Sequence, residues 1–335
     1  MPTVACLGAG YFSRFHYDAW ARIPEVRLIG AADRDLAAAV ATGLPAFDGL
    51  DAMLTAGLPD ILDIILPPAA HAGAIRSAIA AGVRTVICQK PFCQDLAEAE
   101  AIAQEAAQAG TILIVHENFR FMPWYRAIAR ALEQGRIGTP FQATFRLRPG
   151  DGQGPRAYLD RQPYFQTMPR LLIHETGVHW IDTFRYLFGA PTAVYADLRR
   201  VNPAIAGEDA GYVIFDHPNG LRALFDGNRH LDHAADNQRR TMGEALIEGT
   251  AGTLTLTGDG AVHLRRFGDT QAEQLLPPDT HDGFGGDCVH ALQRHVVQCV
   301  LSGATPENTA TDYLDVIRIK DAVYASADSG CKITL

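Results

Sequence analysis

The six cysteines of this chain form no Cys-x-x-Cys pair, so the sequence offers neither the ligand spacing of a zinc cage nor the framework of a disulfide-rich secreted protein. No apolar stretch approaches the ~20 residues needed to cross a bilayer, and no charged start with a long apolar segment indicates a signal peptide. Low-complexity tails and repeats at solenoid spacing are also absent. These absences predict a cytoplasmic protein without a metal site.

Length and charge narrow the class further. The 335 residues suit two domains of ordinary size, and 47% hydrophobic with 20% charged residues is the balance of a globular protein. A formal net charge of -9 disfavours nucleic acid and anionic membranes as main partners. We therefore expect an enzyme that acts on a small molecule.

A glycine turn follows the first apolar run, 4–7. Gly8 and Gly10 stand between that run and a helix-period stretch, which is the order of a dinucleotide-binding strand, turn and helix. Two glycines let the backbone approach a pyrophosphate, and the helix N-terminus offers N–H groups to its charge. Ser13 replaces the third glycine of the fingerprint and is small enough for close helix packing. The predicted cofactor contacts of this turn are Gly8, Gly10, Tyr11 and Phe12.

An acidic residue follows the second apolar run. Asp33 lies 23 residues after Gly10, near the ~20-residue offset at which a carboxylate accepts a hydrogen bond from the adenosine ribose. The same carboxylate repels the 2′-phosphate of NADP, although the neighbouring Arg34 could neutralise that phosphate. The pattern favours NAD and leaves NADP as the alternative; a helix N-cap is the structural alternative for Asp33.

Two kinds of pattern divide the chain near residue 121. Apolar runs that alternate with Ala-rich helical segments predict a Rossmann-type, doubly wound parallel sheet in residues 1–121. Alternating segments separated by turn signals predict a second α/β domain over 122–335, with a large, mostly antiparallel open sheet. The predicted strands are 4–7, 26–32, 61–66, 83–88, 112–115, 141–147, 193–198, 212–215, 221–225, 245–248 and 253–257. The predicted helices after residue 121 are 124–133, 173–188, 287–301 and 311–327.

Two places carry residues that suit acid–base chemistry. Lys90 follows the fourth predicted strand, where it could donate to a substrate hydroxyl and stabilise negative charge on oxygen; a solvated surface lysine is the alternative. His174 and His179 are five residues apart, which excludes the i, i+4 spacing of a zinc protease helix. Glu175 and His179 have the i, i+4 spacing that places a carboxylate beside an imidazole as a general-base pair. A helix-surface ion pair or a buried structural histidine is the alternative there.

The order of these motifs resembles the Gfo/Idh/MocA family, named after glucose-fructose oxidoreductase and inositol dehydrogenase. The likeness spans nearly the whole chain. It is carried by Gly8-x-Gly10, Asp33, Pro67-Pro68 with His71, Gln89-Lys90-Pro91, Asn118-x-Arg120 and Glu175-x-x-x-His179-x-x-Asp182. The Gln-Lys-Pro variant and the segment 116–120 look most like the family's aldose dehydrogenases, including those that act on the branched pentose D-apiose. The family usually has Glu at position 89 and Asp at position 175.

The resemblance implies an NAD(P)-dependent dehydrogenase of class EC 1.1.1 that transfers hydride from a sugar or polyol, and a homodimer or homotetramer joined through the open sheet. His179 would be the general base, Lys90 would orient the substrate oxygen, and Glu175 would tune the histidine. With Gln89, a charge that would favour the ammonium form of Lys90 is missing. The implied cofactor contacts beyond the glycine turn are Asp33, Arg34, Pro67, His71, Gln89, Lys90 and Asn118.

A sugar also needs polar groups beside an aromatic platform. The predicted pocket residues are Lys90, Asn118, Arg120, Trp124, Tyr164, Arg170, His174, Glu175 and His179. Two other functions stay open: redox-neutral hydrolysis, elimination or epimerisation through transient oxidation by tightly bound NAD, and a non-catalytic NAD-binding sensor. The presence of Lys90, Glu175 and His179 argues against the sensor.

Overall fold

The computed structural model describes residues 1–335, and the chain divides into two compact units. One unit comprises Met1–Asn118 with Val289–Ile317, and the other comprises Phe119–Cys288 with Arg318–Leu335. The first unit therefore includes the stretch 289–317, which the sequence pattern placed within the range 122–335. None of the helices is both long and apolar enough to cross a membrane.

The first unit contains a six-stranded parallel sheet in the order β3-β2-β1-β4-β5-β6, which confirms the predicted doubly wound sheet. Its elements are β1 Thr3–Leu7, α1 Ser13–Ala21, β2 Arg27–Ala32, α2 Leu36–Val40, β3 Ala46–Phe47, α3 Leu50–Ala56, β4 Ile61–Ile64, α4 His71–Ala81, β5 Thr85–Cys88, α5 Leu96–Ala109 and β6 Ile112–Val115. The strand order reverses between β1 and β4, and ligands of such sheets bind beyond the strand ends at this switch point. The two-residue β3 has no counterpart among the predicted strands.

Local sequence explains these boundaries. All residues of β4 and β5 are buried, as in strands that helices cover on both faces. The helix α5 is capped at its start by Asp95, whose carboxylate accepts a hydrogen bond from the Glu98 N–H at 2.9 Å. It ends at Gly110, which adopts the left-handed conformation that terminates helices. A charged residue inside β4, Asp63, is the exception to the apolar pattern.

The second unit contains a nine-stranded sheet in the order β14-β13-β12-β11-β7-β10-β9-β8-β15. The elements from residue 119 onward are α6 Pro123–Glu133, β7 Pro140–Leu147, α7 Val178–Phe188, β8 Ala193–Arg199, β9 Ala210–Asp216, β10 Arg222–Asn228, β11 Gly243–Gly249, β12 Gly252–Leu256, β13 Val262–Arg266, β14 Ala272–Leu276, α8 Cys288–Ser302, α9 Ala310–Ser329 and β15 Ile333–Thr334. Only β7 and β10 pair in parallel, so the prediction of a mostly antiparallel sheet is confirmed.

The two faces of this sheet differ. On the inner face, Trp180 of α7 packs on Phe145 and Phe225, with ring centroids 4.4 and 5.3 Å apart. This contact fixes the helix that carries the predicted general base. On the outer face, a row of side chains on paired residues crosses five neighbouring strands. Its members are Tyr195, Ile214, Leu224, Thr144 and Leu246.

Candidate functional site

The glycine turn of the first unit admits no side chain at its first position. Gly8 has φ +110°, and a Cβ atom there would lie 2.3 Å from the carbonyl oxygen of Ile65. A Cβ atom at Gly10 would meet nothing within 4 Å, so the space beside that residue is open. The Tyr17 hydroxyl donates a hydrogen bond to the Gly8 carbonyl at 3.1 Å. The Tyr17 hydroxyl therefore fixes the backbone of the turn at Gly8, and the space beside Gly10 is open.

Asp33 is bonded to this turn. Its carboxylate accepts hydrogen bonds from the N–H of Ala9 at 2.7 Å and from the N–H of Asp35 at 2.9 Å. The cap of α2 is Asp35, which accepts from the N–H of Ala37 at 3.0 Å. The N-cap role considered for Asp33 therefore belongs to Asp35. Arg34 is exposed beside it.

The N-terminus of α1 has the features of a phosphate site. The helix begins at Ser13, whose hydroxyl donates to the Gly10 carbonyl at 2.7 Å, and no side chain caps it. Tyr11 is exposed, with the Arg14 guanidinium 4.3 Å from its ring centroid. The open space at Gly10, the uncapped helix and the carboxylate beside the turn together fit a dinucleotide.

The predicted cofactor residues at the other strand ends have different surroundings. His71 is fully buried and donates from Nε2 to the Leu66 carbonyl at 2.7 Å, and burial lowers its pKa. It therefore fixes the loop that carries the exposed Pro67. Lys90 is half-buried, and its N–H donates to Oε1 of the buried Gln89 at 2.9 Å. Asn118 is 2% exposed, and its side-chain N–H₂ group has no hydrogen-bond partner within the chain.

In the second unit, the segment that carries His174 and Glu175 is not α-helical. Residues Leu172–Gly177 form a π-helix that continues into α7, so the predicted helix over 173–188 is present and ends at Gly189 as predicted, but its first turn is of the π type. The 3.6-residue spacing does not hold through a π turn, so the sequence spacing alone does not decide whether Glu175 and His179 share a face. Such π turns are frequent at functional sites.

Two distant residues hold the start of this π-helix. The Glu208 carboxylate accepts hydrogen bonds from the N–H groups of Leu171 and Ile173 at 3.2 and 3.1 Å. The Tyr324 hydroxyl donates to the same carboxylate at 2.6 Å and accepts from the N–H of His174 at 3.0 Å. N–H groups that a helix start leaves without partners are thereby satisfied.

A buried arginine reaches the same segment. The Arg229 guanidinium donates to the Thr176 hydroxyl at 2.7 Å and to the Asp151 carboxylate at 2.8 Å. Burial alone would lower the pKa of Arg229, but the charge of Asp151 holds it above its ordinary value. The Thr176 hydroxyl donates in turn to Glu175 at 3.3 Å. Arg229 therefore orients Glu175 through one intervening hydroxyl.

The ring of His179 is fixed by stacking. It lies parallel to the Phe119 ring, with centroids 3.7 Å and planes 2° apart, and the residue is 5% exposed. The Thr183 hydroxyl donates to the His179 carbonyl at 2.7 Å. Stacking fixes the plane in which the imidazole nitrogens lie, which a general base requires.

The other predicted pocket residues of this unit differ in their surroundings. Arg120 donates to both carboxylate oxygens of Asp182, at 2.8 and 2.5 Å, so its fork tethers the short turn Phe119–Phe121 to α7. Trp124 is fully buried, a core position rather than an exposed platform. Tyr164 is 54% exposed, and the exposed Arg170 lies over the Tyr324 ring at 4.1 Å.

Several supporting residues have no local signal in the sequence. Glu208, Arg229 and Tyr324 lie far along the chain from the π-helix that they hold, and no motif links them to it. Asp63 does have a signal, because a carboxylate inside a fully apolar strand needs buried partners.

Comparison with known proteins identifies both parts of the chain. The family model described as "Oxidoreductase family, NAD-binding Rossmann fold" matches residues 3–117, and the Gfo/Idh/MocA C-terminal domain model matches residues 125–255. The chain is 33% identical to a D-apiose dehydrogenase of Paraburkholderia graminis, over 99% of this chain and 89% of that relative. It is 29% identical to a D-apiose dehydrogenase of Rhizobium rhizogenes, over 97% and 95% of the two chains.

A solved structure agrees with this result. An oxidoreductase from Agrobacterium radiobacter, crystallised with NAD+, L-tartaric acid and magnesium, superposes with a TM-score of 0.89. It is 26% identical, and the match covers 99% of this chain and 98% of that one. The glycine turn, the carboxylate beside it and the two family domains lead to one conclusion: the chain belongs to the Gfo/Idh/MocA family of oxidoreductases and is a dehydrogenase that uses NAD.

Proposed function

We propose that this dehydrogenase oxidises an aldose, with D-apiose as the first candidate. The observation that carries this proposal is the near full-length similarity to two D-apiose dehydrogenases. The chain has the Gln89-Lys90-Pro91 triplet and the residues His179 and Glu175 that the sequence pattern assigns to chemistry.

The first unit holds the cofactor in this proposal. Gly8 and Gly10 let the backbone approach the pyrophosphate, the N-terminus of α1 offers it N–H groups, and Asp33 accepts from the ribose hydroxyl groups. Bound NAD supplies the acceptor for the hydride that leaves the substrate carbon. Asn118 offers a buried amide donor that no group of the chain uses.

His179 accepts the proton of the hydroxyl group that is oxidised. The Phe119 stack holds its ring in one plane, and a neutral imidazole near physiological pH is a suitable base. Glu175, which Thr176 and Arg229 orient, favours the imidazolium once the proton has been taken up. The second unit thus supplies the base and the group that tunes it.

Lys90 donates a hydrogen bond to the substrate oxygen, orients it, and stabilises the negative charge that develops there as the proton leaves. Overall, the substrate C–H and O–H bonds break, a C=O bond forms, and two electrons leave with the hydride. The product is a lactone if the anomeric carbon reacts and a keto sugar if a ring secondary alcohol reacts.

The test is the absorbance at 340 nm of purified protein with NAD or NADP and a panel of aldoses, polyols and inositols, with D-apiose included. We expect steady NADH formation with an aldose, and NMR of the product then identifies the oxidised carbon. His179→Asn and Lys90→Met should each lower kcat at least about a hundredfold. Matched variants are His281→Asn and Lys332→Met, whose side chains are 40% and 51% exposed, and both should retain activity.

Two results would contradict this function. NAD that stays bound without net NADH, while a sugar is cleaved or epimerised, would establish redox-neutral turnover. Bound NAD with no reaction of any sugar would establish a sensor. Normal turnover of His179→Asn would refute the assignment of the base alone.

We further propose that a second copy of this chain covers the outer face of the nine-stranded sheet. Tyr195, Ile214 and Leu224 lie side by side on three neighbouring strands, and Leu246 follows beyond Thr144 in the same row. Apolar patches of this kind on a sheet are typical of protein interfaces.

A further inference from the structure

A chain of buried polar side chains lies behind Lys90 in the first unit. Asp63 in β4 and His16 in α1 are both fully buried. The Asp63 Oδ2 atom lies 2.7 Å from His16 Nδ1 and accepts from the Trp20 indole N–H at 2.7 Å and the Gln293 amide at 3.3 Å. Burial alone would raise the pKa of Asp63, but the hydrogen bonds from His16 and Trp20 help to hold it below its ordinary value.

The chain continues from His16 to Lys90 through Gln89. The Gln89 Nε2 atom lies 2.8 Å from His16 Nε2, and Gln89 Oε1 accepts from the Lys90 N–H at 2.9 Å. That second bond fixes which end of the amide is oxygen, because a backbone N–H can only donate. The amide nitrogen, which also only donates, must therefore face His16.

The proton position on His16 follows from this orientation. Its Nε2 atom must accept from Gln89, so it carries no hydrogen. Its Nδ1 atom then carries the hydrogen and donates it to Asp63, and the ring is neutral. Donor and acceptor roles are thus fixed along the whole path from Asp63 to the backbone of Lys90.

We propose that Gln89 locks His16 in the neutral Nδ1–H form, and that Asp63 and His16 act through Gln89 as positioning residues for Lys90. The positioning half rests on the proposed role of Lys90, whereas the state of His16 does not. The backbone N–H of Lys90 is thereby tied to a buried hydrogen-bond network.

A glutamate at position 89 would reverse the proton position. A carboxylate only accepts, so His16 would have to donate from both nitrogens and take up a proton. The charge of the network would stay at one negative, since the new carboxylate is balanced by the imidazolium. The sequence suggested that Gln89 removes a negative charge beside Lys90. The net charge of the buried network is nevertheless the same with either residue, because a glutamate would be balanced by a protonated His16.

The groups that face His16 set the conditions of the test. They are Asp63 from β4, Gln89 after β5, His116 after β6, whose ring centroid lies 4.2 Å from that of His16, and Phe12 and Trp20 from the same helix region. Two further groups, Cys6 of β1 and Gln293 of α8, lie beside Asp63. A variant is useful only if the other groups of this set keep their positions.

The experiment is ¹⁵N–¹H NMR of the histidine side chains in the full-length protein, from pH 6 to 8, for the wild type and Gln89→Glu. We expect His16 to be neutral with hydrogen on Nδ1 in the wild type and doubly protonated in Gln89→Glu. Gln274→Glu, at an exposed position, should leave His16 unchanged. An Nε2–H tautomer or an imidazolium in the wild type, or a neutral ring in Gln89→Glu, would overturn the proposal.

Kinetics test the positioning half. In Asp63→Asn and His16→Gln, kcat should fall by about tenfold to a hundredfold with KM within about twofold, because a displaced Lys90 chiefly loses its stabilisation of the charge that develops on the reacting oxygen. A KM that rises as much as kcat falls, or an unchanged kcat, would refute the positioning role of Asp63 and His16. If no sugar is oxidised by the wild type, the proposed function fails while the NMR result still decides the state of His16.

Discussion

The hydrogen bonds between Glu208 and the start of the π-helix can be weakened by replacing one oxygen atom of its carboxylate. In Glu208→Gln, the oxygen that faces Ile173 and Tyr324 can remain, whereas the other oxygen becomes an N–H₂ group. That group faces the Leu171 N–H, now 3.2 Å from the carboxylate. Two donors then face each other, and one hydrogen bond to a charged acceptor is lost.

The size of the effect follows from that single bond. A hydrogen bond to a charged group contributes roughly 1.5–3 kcal/mol, so the free energy of opening the π-helix should fall by about 2 kcal/mol. Because about 1.4 kcal/mol corresponds to a factor of ten, the amides of 171–174 should exchange roughly thirtyfold faster. Tyr324→Phe, which removes the acceptor of the His174 N–H, should act in the same direction.

Hydrogen exchange followed by mass spectrometry measures this directly, on peptides that cover 168–180. Glu273→Gln is the matched control, since that carboxylate is 55% exposed in its pair with Arg136 and touches no part of the site. kcat/KM should fall in Glu208→Gln and not in the control. Exchange within about twofold of the wild type would refute the claim that Glu208 holds the π-helix.

Three further predictions concern other parts of the chain. Gly8→Ala should weaken NAD binding at least about tenfold by calorimetry, because its Cβ atom would lie 2.3 Å from a carbonyl oxygen; Gly43→Ala, at φ +77° with open space, should not. Burial lowers the pKa of His217 from 6.5 to about 4. The free energy of unfolding therefore falls by up to about 3 kcal/mol as the pH falls from 6.5 to 4, because only the unfolded chain takes up a proton in this range. His217→Phe should therefore gain stability relative to the wild type between pH 6.5 and pH 4 in thermal unfolding, and parallel pH curves would contradict this. Leu224→Arg should lower the molar mass in light scattering, and an unchanged mass would refute the proposed interface of the sheet.

Most of the first unit could be predicted from local sequence. Its strands are short apolar runs, and its cofactor turn depends on glycines and a carboxylate at fixed spacing, so each signal lies within a few tens of residues. The second sheet was predicted less completely. The strands β13, β14 and β15 were missed; β14 is largely exposed, which gives its residues no alternation to detect, and β15 has only two residues.

The site of the second unit shows why local patterns have a limit. The segment around Glu175 has helical spacing, but the π turn depends on Glu208 and Tyr324, whose contacts no periodicity records. Arg120 has the chemistry of a sugar ligand, and only the fold shows that Asp182 engages both arms of its guanidinium. Isolated polar residues thus reveal their roles only when their partners are known.

The first unit is discontinuous in sequence, and this has a consequence for biosynthesis. Gln293 bonds to Asp63, and Asn308 and Tyr313 bond to Glu117 at 2.7 and 3.2 Å, across separations of 190 residues or more. A ribosome that has released residues 1–118 has therefore not yet supplied Gln293 for the Asp63 carboxylate, Tyr313 for the Glu117 carboxylate or Asn308 for the Glu117 carbonyl oxygen. The buried hydrogen-bond network of the first unit stays incomplete until the intervening unit and residues 293–313 have been synthesised. Its completion is therefore a late step in folding that depends on contacts distant in sequence.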